Sequence, residues 1–155
     1  MKRFRIAFLI APLALIACAQ AASATVIEVM KSPYCGCCTE WVERMRAAGF
    51  TVEVTEVEDT APAAKSAGIP DNLRSCHTAT VEGYAIEGHV PAEDIRTLLA
   101  KKPDAVGLAV PGMPVGSPGM EMEGRADRYQ VVLVASDGQH RVFATHGGKA
   151  DAHVH

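Results

Sequence analysis

Alternating and β-branched apolar positions predict strands in the first half of the chain. Residues 26 to 30 are β-branched and apolar around a single acid, which predicts a buried strand. Residues 51 to 57 alternate valines with polar residues. Residues 78 to 81 and 84 to 86 flank a Glu-Gly pair, which is typical of a tight hairpin turn. The pattern therefore predicts two separate strands followed by a hairpin.

Three helices are predicted among these strands. Apolar residues recur at helical spacing after Cys38, and Gly49 is a stop signal. Residues 62 to 67 are rich in alanine, and Pro91 opens a third helix with acids in its first turn. The residues expected to face inward are Trp41, Val42, Met45, Ile95, Leu98 and Leu99. The order βαβαββα predicts an α/β fold of the thioredoxin-like class.

The pattern changes after the third helix. Residues 110 to 120 are too rich in proline and glycine for regular structure. A second hairpin is predicted from residues 130 to 134 and 141 to 144, with its turn at Asp137-Gly138. We therefore expect the thioredoxin-like unit to carry a C-terminal extension made of a loop and a β-hairpin.

The N-terminus has the composition of a secretory signal. Three basic residues precede an apolar run from Ile6 to Ala17, which is shorter than the roughly 20 residues of a spanning helix. Two cleavage sites compete: Ala22-Ser23-Ala24 fits a signal peptidase, whereas Leu15-Ile16-Ala17-Cys18 resembles a lipobox, in which case a lipidated Cys18 anchors the protein to a membrane. We expect a periplasmic protein with a signal peptide at 1–24, a thioredoxin-like domain at 25–103 and a metal-binding extension with tail at 104–155.

Size and charge narrow the class of partner. The part after the signal has roughly 130 residues, which fits one domain. The net charge of the whole chain is −3, and without the three basic residues of the signal 12 basic face 18 acidic side chains, giving −6. Nucleic acids and anionic membrane surfaces are therefore poor partners, and we expect a monomer.

Four of the five cysteines follow the signal, and three crowd into Cys35-Gly36-Cys37-Cys38. Two structural disulfides are the alternative, but crowded cysteines cannot staple distant parts of a chain. Cys35 and Cys38 stand three residues apart at the start of the first helix, where free N–H groups and the helix dipole favour thiolate. This spacing is typical of a redox pair, with Cys35 and Cys38 as catalytic residues.

Cys37 departs from this dithiol motif, because a plain dithiol exchanger needs no third thiol. Soft thiolates select Cu(I), zinc or iron–sulfur clusters, and zinc sites usually use two separated cysteine pairs. Adjacent cysteines that can bridge two ions favour a compact, multinuclear copper–thiolate cluster. We therefore predict Cys35, Cys37 and Cys38 as copper ligands.

Further candidate ligands lie later in the chain. Cys76 precedes the third strand, where thioredoxin-like proteins carry a proline that faces the cysteines, so it is expected as a fourth sulfur ligand or a resolving thiol. His77 is either a ligand or a surface loop residue. Met113, Met120 and Met122 bear soft thioethers, and the alternative for each is a gap filler.

The remaining histidines favour other roles. His89 lies at a predicted strand-to-helix junction, where a hydrogen-bonding role is favoured over ligation. His140 is expected in solvent, and His146 and the terminal His153-Val154-His155 are expected to bind metal only weakly.

Four segments resemble the exported copper-resistance proteins called CopG. They are residues 31–38 (KSPYCGCC), 75–78 (SCHT), 87–91 (EGHVP) and 107–120 (GLAVPGMPVGSPGM). The resemblance implies a thioredoxin domain whose C-terminal extension helps to hold a multinuclear, cysteine-bridged copper cluster. It also implies interconversion of Cu(I) and Cu(II) in copper detoxification, with copper-efflux components as partners. The expected ligands are Cys35, Cys37, Cys38, Cys76, His77, Met113 and Met120.

Three functions remain open at this point. The first is a copper-binding redox protein, which would be a copper oxidoreductase. The second is a thiol–disulfide oxidoreductase without a metal, in which Cys37 is dispensable. The third is a passive copper carrier that uses the same ligands without turnover.

Overall fold

The first four strands and the three helices lie where the hydrophobic pattern predicts them. The computed structural model describes residues 25–148. The elements are β1 (Val26–Lys31), α1 (Gly36–Ala47), β2 (Thr51–Glu56), α2 (Ala61–Ser66), a 3₁₀ turn (Asp71–Leu73), β3 (His77–Val81), β4 (Tyr84–Glu87), α3 (Ala92–Lys101), β5 (Gly107–Ala109), β6 (Tyr129–Val134) and β7 (His140–His146).

All strands join one mixed sheet in the order β2-β1-β3-β4-β5-β6-β7. The pairs β1–β2 and β4–β5 are parallel, and the other neighbours are antiparallel. The hairpin β6–β7 matches the predicted second hairpin, and the protein therefore has a mixed α/β architecture in which the C-terminal strands extend the sheet of the first four.

Strand β5 is absent from the sequence-based prediction. Its three residues, Gly-Leu-Ala, are too few to show a period of their own. They are ordered by pairing with β4 on one side and β6 on the other, and Leu108 is fully buried. Tertiary pairing, not local preference, forms this strand.

The core lies between the sheet and its helices. Trp41, Val42 and Met45 of α1 are buried as predicted, and so are Ile95 and Leu98 of α3. Leu99 is only partly buried.

The expectation that all of β1 is buried is wrong, because only alternate residues face the core. Ile27 and Val29 are buried, whereas Val26 is 40% exposed and Glu28 lies in solvent.

None of the helices between residues 25 and 148 has the length and apolar character of a membrane span.

Candidate metal centre

The cysteine turn joins β1 to α1. Cys35 is the N-cap residue of α1: its backbone is extended, and its Sγ accepts the N–H of Cys38 at 3.3 Å. Cys35 and Cys38 form a disulfide with their Cα atoms 5.3 Å apart. The two cysteines that the spacing predicts as a redox pair are thus bonded to each other.

Cys37 and Cys76 are the free thiols of the described chain, and both lie beside this disulfide. The Sγ atoms of Cys37 and Cys35 are 3.5 Å apart, and the Sγ of buried Cys38 lies 3.7 Å from the carbonyl oxygen of Cys76. All four sulfurs lie within 4.8 Å of one another. The fold therefore gathers four sulfurs from two separate segments.

His77 and His89 complete a second group around Cys76. The Sγ of Cys76 lies 3.5 Å from Nδ1 of His77 and 3.1 Å from Nε2 of His89. Both rings are fully buried, so the interpretation of His77 as a surface loop residue is wrong. His77 is the first residue of β3. It is paired with Lys31 of β1, and its carbonyl oxygen accepts the N–H of Gly88 at 2.9 Å.

His89 has the hydrogen-bonding role that its position predicts. The sequence does not predict its contact with the Cys76 thiol. Its Nδ1 donates to the carbonyl oxygen of Pro118 at 2.8 Å. This bond leaves the lone pair of Nε2 directed at Cys76. The histidine in the segment 87–91 is the one sequence feature that indicates a ligand at this position. No sequence pattern shows that the loop of His89 meets the loop of Cys76.

Burial controls the protonation of these groups. It raises the pKa of the Cys76 thiol to about 12, with a further contribution from nearby Cys37. Burial lowers the pKa of His77 to about 3, aided by His89 and Lys31, and it also lowers the pKa of His89. At neutral pH both imidazoles are neutral and retain a lone pair, whereas the Cys76 thiol releases its proton only when a cation replaces it.

The ring of His77 has a buried nitrogen that makes no hydrogen bond within residues 25–148. Among the described residues, its Nε2 has no hydrogen-bond partner. One face of the ring packs against Trp41 at a centroid distance of 4.5 Å, and His89 meets it edge-on at 5.2 Å. An unpaired buried nitrogen costs about 1 to 3 kcal/mol, so this ring lowers the stability of the metal-free protein.

The proline- and glycine-rich loop lies against the cysteine turn. A Cβ at Gly119 would lie 2.7 Å from the carbonyl oxygen of Cys37 and from the backbone nitrogen of Trp41, so only glycine fits. Glu121 pairs with Arg44 of α1 at 3.0 Å between Oε1 and Nε. Met120, which is partly buried, directly follows Gly119 in this loop.

Met113 follows the part of the loop that contacts the segment before Cys76. The N–H of neighbouring Gly112 donates to the carbonyl oxygen of Arg74 at 3.1 Å, and the Ser75 hydroxyl donates to the carbonyl oxygen of Gly112. The side chain of Met113 is 53% exposed. The loop is thus hydrogen-bonded to the two residues that precede Cys76, while Met113 itself is largely exposed to solvent.

The other candidates lie elsewhere. Met122 is 59% exposed, and His140 is exposed at the start of β7. The Nε2 of His146 contacts Oδ2 of Asp94 at 2.6 Å and its ring stacks on Tyr129, so it does not join the thiol group. The terminal His153-Val154-His155 lies outside the described residues.

Comparisons with known proteins give a consistent result. The model of the family DUF411, described as a protein of unknown function, matches residues 73–120. The solved structure named "Copper resistance protein copG", Form 2, is 44% identical with a TM-score of 0.77, covering 80% of this chain and 99% of that one. Form 1 has the same identity and TM-score, covering 81% of this chain and all of that one. No curated protein sequence matches the chain.

Proposed function

The chain belongs to the CopG family of copper resistance proteins, and from this premise we propose that it holds copper on Cys35, Cys37, Cys38 and Cys76. The observation that carries the proposal is the gathering of four sulfurs within 4.8 Å of one another. Soft thiolates select Cu(I), and sulfurs this close can each bridge two ions. The cysteine cluster fits a copper-binding role, and its crowding favours a multinuclear cluster over a single ion.

The surrounding donors also suit copper. His77 and His89 are neutral, and the ring nitrogens that lie against the Cys76 thiol, Nδ1 of His77 and Nε2 of His89, are the candidate ligand atoms. We assign Met113 and Met120 as thioether ligands from the loop that lies against the site. The Cys35–Cys38 disulfide must be reduced before these two cysteines can bind, so the copper-holding state is the reduced state.

The same disulfide suggests how copper could change oxidation state. Closing the Cys35–Cys38 bond oxidises two thiolates to a disulfide and releases two electrons, which convert two Cu(II) ions into two Cu(I) ions. In the reverse direction two Cu(I) ions give two electrons to the disulfide, which opens to two thiolates as the ions become Cu(II). Cys35 and Cys38 would then be the catalytic pair of a copper oxidoreductase, whereas Cys37 and Cys76 keep their thiols in both states. A passive carrier would use the same ligands but would show no such turnover.

The fold and the N-terminal sequence indicate the structural class of the protein and its cellular compartment. We propose that β1 to β4 with α1 to α3 form a thioredoxin-like unit, since α1 follows β1 directly and carries the cysteines at its N-terminus. We propose export by a signal at residues 1–24, cleavage at Ala24 or before a lipidated Cys18, and a periplasmic monomer. Copper-efflux components of that compartment would then receive its copper.

Titration with Cu(I) under reducing conditions tests the central claim. We expect the wild type to retain several copper ions after desalting, counted by elemental analysis, and the fluorescence of Trp41 to fall because its ring lies against His77. Cys37→Ser should lose most of the copper while the Cys35–Cys38 disulfide still forms. His140→Ala, at an exposed position, is the matched control.

A metal-free thiol–disulfide oxidoreductase is the second candidate, and the Cys35–Cys38 disulfide favours it. It predicts that insulin reduction survives Cys37→Ser and is lost in Cys35→Ser. Copper retention that is absent in the wild type, or unchanged in Cys37→Ser, would contradict the copper proposal and leave this second function.

A further inference from the structure

Glu87, the last residue of β4, is a carboxylate with only 1% of its surface exposed. A buried acid is costly unless its oxygens accept hydrogen bonds. Its Oε1 accepts the backbone N–H of Ser75 at 2.7 Å, and its Oε2 accepts the hydroxyl of Thr78, also at 2.7 Å. The two bonds bracket the intervening residues, Cys76 and His77.

The segment that carries Cys76 depends on this carboxylate for its backbone partner. Strand β3 begins only at His77, so Ser75 precedes the sheet ladder. Thr78 and Glu87 are directly opposed in the β3–β4 pair, and the acid side chain reaches from there to the N–H of Ser75. The side chain thus extends the sheet pairing to a residue that the strands do not reach.

Close packing leaves this segment little freedom while the carboxylate is in place. A Cβ at Gly88 would lie 2.5 Å from Cβ of Ser75, and the hydroxyl of Ser75 donates to the carbonyl oxygen of Gly112. Cys76 follows directly, with its Sγ 3.1 Å from Nε2 of His89. A shift of Ser75 would therefore move the thiol relative to both His89 and the Cys35–Cys38 pair.

We propose that Glu87 is a positioning residue for the metal site, which fixes Cys76 against His89 and the cysteine turn by bridging Ser75 and Thr78. This inference rests on the proposed copper function for its purpose, but the placement of the Cys76 thiol can be tested without copper.

Two substitutions of matched size separate positioning from simple filling of the core. Glu87→Gln keeps a carbonyl oxygen for the N–H of Ser75, and its amide can donate to the oxygen of Thr78. Glu87→Met has a similar length but no acceptor, so the N–H of Ser75 loses its partner. If Glu87 positions Cys76, Glu87→Gln should keep Cys76 in place and Glu87→Met should not.

The first measurement uses the oxidised full-length protein, in which Cys37 and Cys76 are the free thiols of the described chain. Native alkylation with iodoacetamide, followed by peptide mass spectrometry, gives the rate at each. We expect Glu87→Met to raise the Cys76 rate about tenfold with the Cys37 rate unchanged, and Glu87→Gln to stay within about twofold of wild type. Equal Cys76 rates in wild type and Glu87→Met, or equal effects of Gln and Met, would overturn the proposal.

A simultaneous rise at Cys37 would show that Glu87→Met has unfolded, and Thr78→Val then carries the test. It removes only the bond to Oε2, so a smaller rise at Cys76 alone is expected. Thr78→Ser, which keeps the hydroxyl, should match wild type. A Cys76 rate in Thr78→Val equal to that of Thr78→Ser would overturn the proposal.

The second measurement is a double-mutant cycle on Cu(I) affinity, determined by competition with a colorimetric Cu(I) chelator. Glu87→Met should weaken binding about tenfold, as loss of a residue that orients a metal ligand does. It should have no further effect in a Cys76→Ser background, and an equal effect there would contradict action through Cys76. If wild type binds no copper while the alkylation result holds, the copper function fails and the positioning role stands.

Discussion

The buried ring of His77 affects both the stability of the fold and the chemistry of the proposed metal site. Its ring is fully buried, packs on Trp41 and leaves Nε2 without a hydrogen bond among the described residues. A residue selected for packing alone would be apolar at this position. The polar ring therefore lowers the stability of the metal-free protein, and this cost is measurable.

Burial of the same ring should also make the free energy of unfolding depend on pH. The pKa of His77 is lowered to about 3 in the folded state, so between pH 6.5 and 3 the unfolded chain binds a proton that the folded chain does not. Stability is therefore complete above pH 6.5 and falls at lower pH by about 1.4 kcal/mol per unit, or about 2 kcal/mol at pH 5. The same sign applies to the lowered pKa of His89.

Denaturant unfolding at pH 7 and pH 5 checks this prediction in wild type and His77→Leu. The variant has a side chain of similar size that cannot titrate, so the fall in stability should shrink by about 2 kcal/mol. Other groups titrate in both proteins and cancel in the difference. An identical pH dependence of the two would show that His77 is protonated in the folded state.

At the scale of elements, the cysteine turn and the loop from 110 to 120 form one unit. The loop has no helix or strand, yet Gly119 lies against α1 and Pro118 accepts from His89. These contacts hold the loop in its conformation, because the sequence of the loop specifies only turns. The loop therefore packs directly against the start of the helix that carries the thiols.

Replacing two glycines of the loop separates this contact from backbone strain. Both Gly119 and Gly112 have positive φ, 84° and 70°. Gly112→Ala meets nothing within 4 Å and should cost about 1 to 2 kcal/mol from strain alone. Gly119→Ala adds an overlap with α1 and should cost about 2 to 4 kcal/mol.

Thermal or denaturant unfolding gives these differences, and the reactivity of Cys37 reports the loop directly. It should rise in Gly119→Ala because the loop is pushed away from the turn, and remain unchanged in Gly112→Ala. Equal losses of stability in both variants would mean that the loop is not packed on α1.

The elements differ in how much their own sequence reveals. Helix α1 is predictable because Trp41 and Met45 show the helical period within one segment. The three residues of β5 show no period, and the contact of His89 with Cys76 joins loops 13 residues apart. The turn motif could thus be found from local spacing, whereas the partners of Cys76 depend on strand pairing and loop contacts between distant segments.

At the scale of the whole molecule, the boundary expected at residue 103 falls within one continuous sheet. Strand β4 pairs with β3 on one side and with β5 on the other. The main hydrophobic cluster includes residues from both sides of that boundary. Those from the C-terminal side are Leu108, Val110, Tyr129, Val131 and Leu133.

Truncation should therefore unfold the protein. Each of those side chains contributes about 1.5 to 3 kcal/mol by burial, and together they approach or exceed the 5 to 15 kcal/mol that stabilises a typical domain. A chain of residues 25–103 would also leave β4 as an open edge. We expect it to lack cooperative thermal unfolding by circular dichroism. Residues 25–148, which include the core residues just named, should instead unfold like the chain from 25 to 155. Cooperative unfolding of 25–103 near the temperature of the longer chain would instead make the extension a separate unit, so that its loop could leave the thiol group without disturbing the sheet.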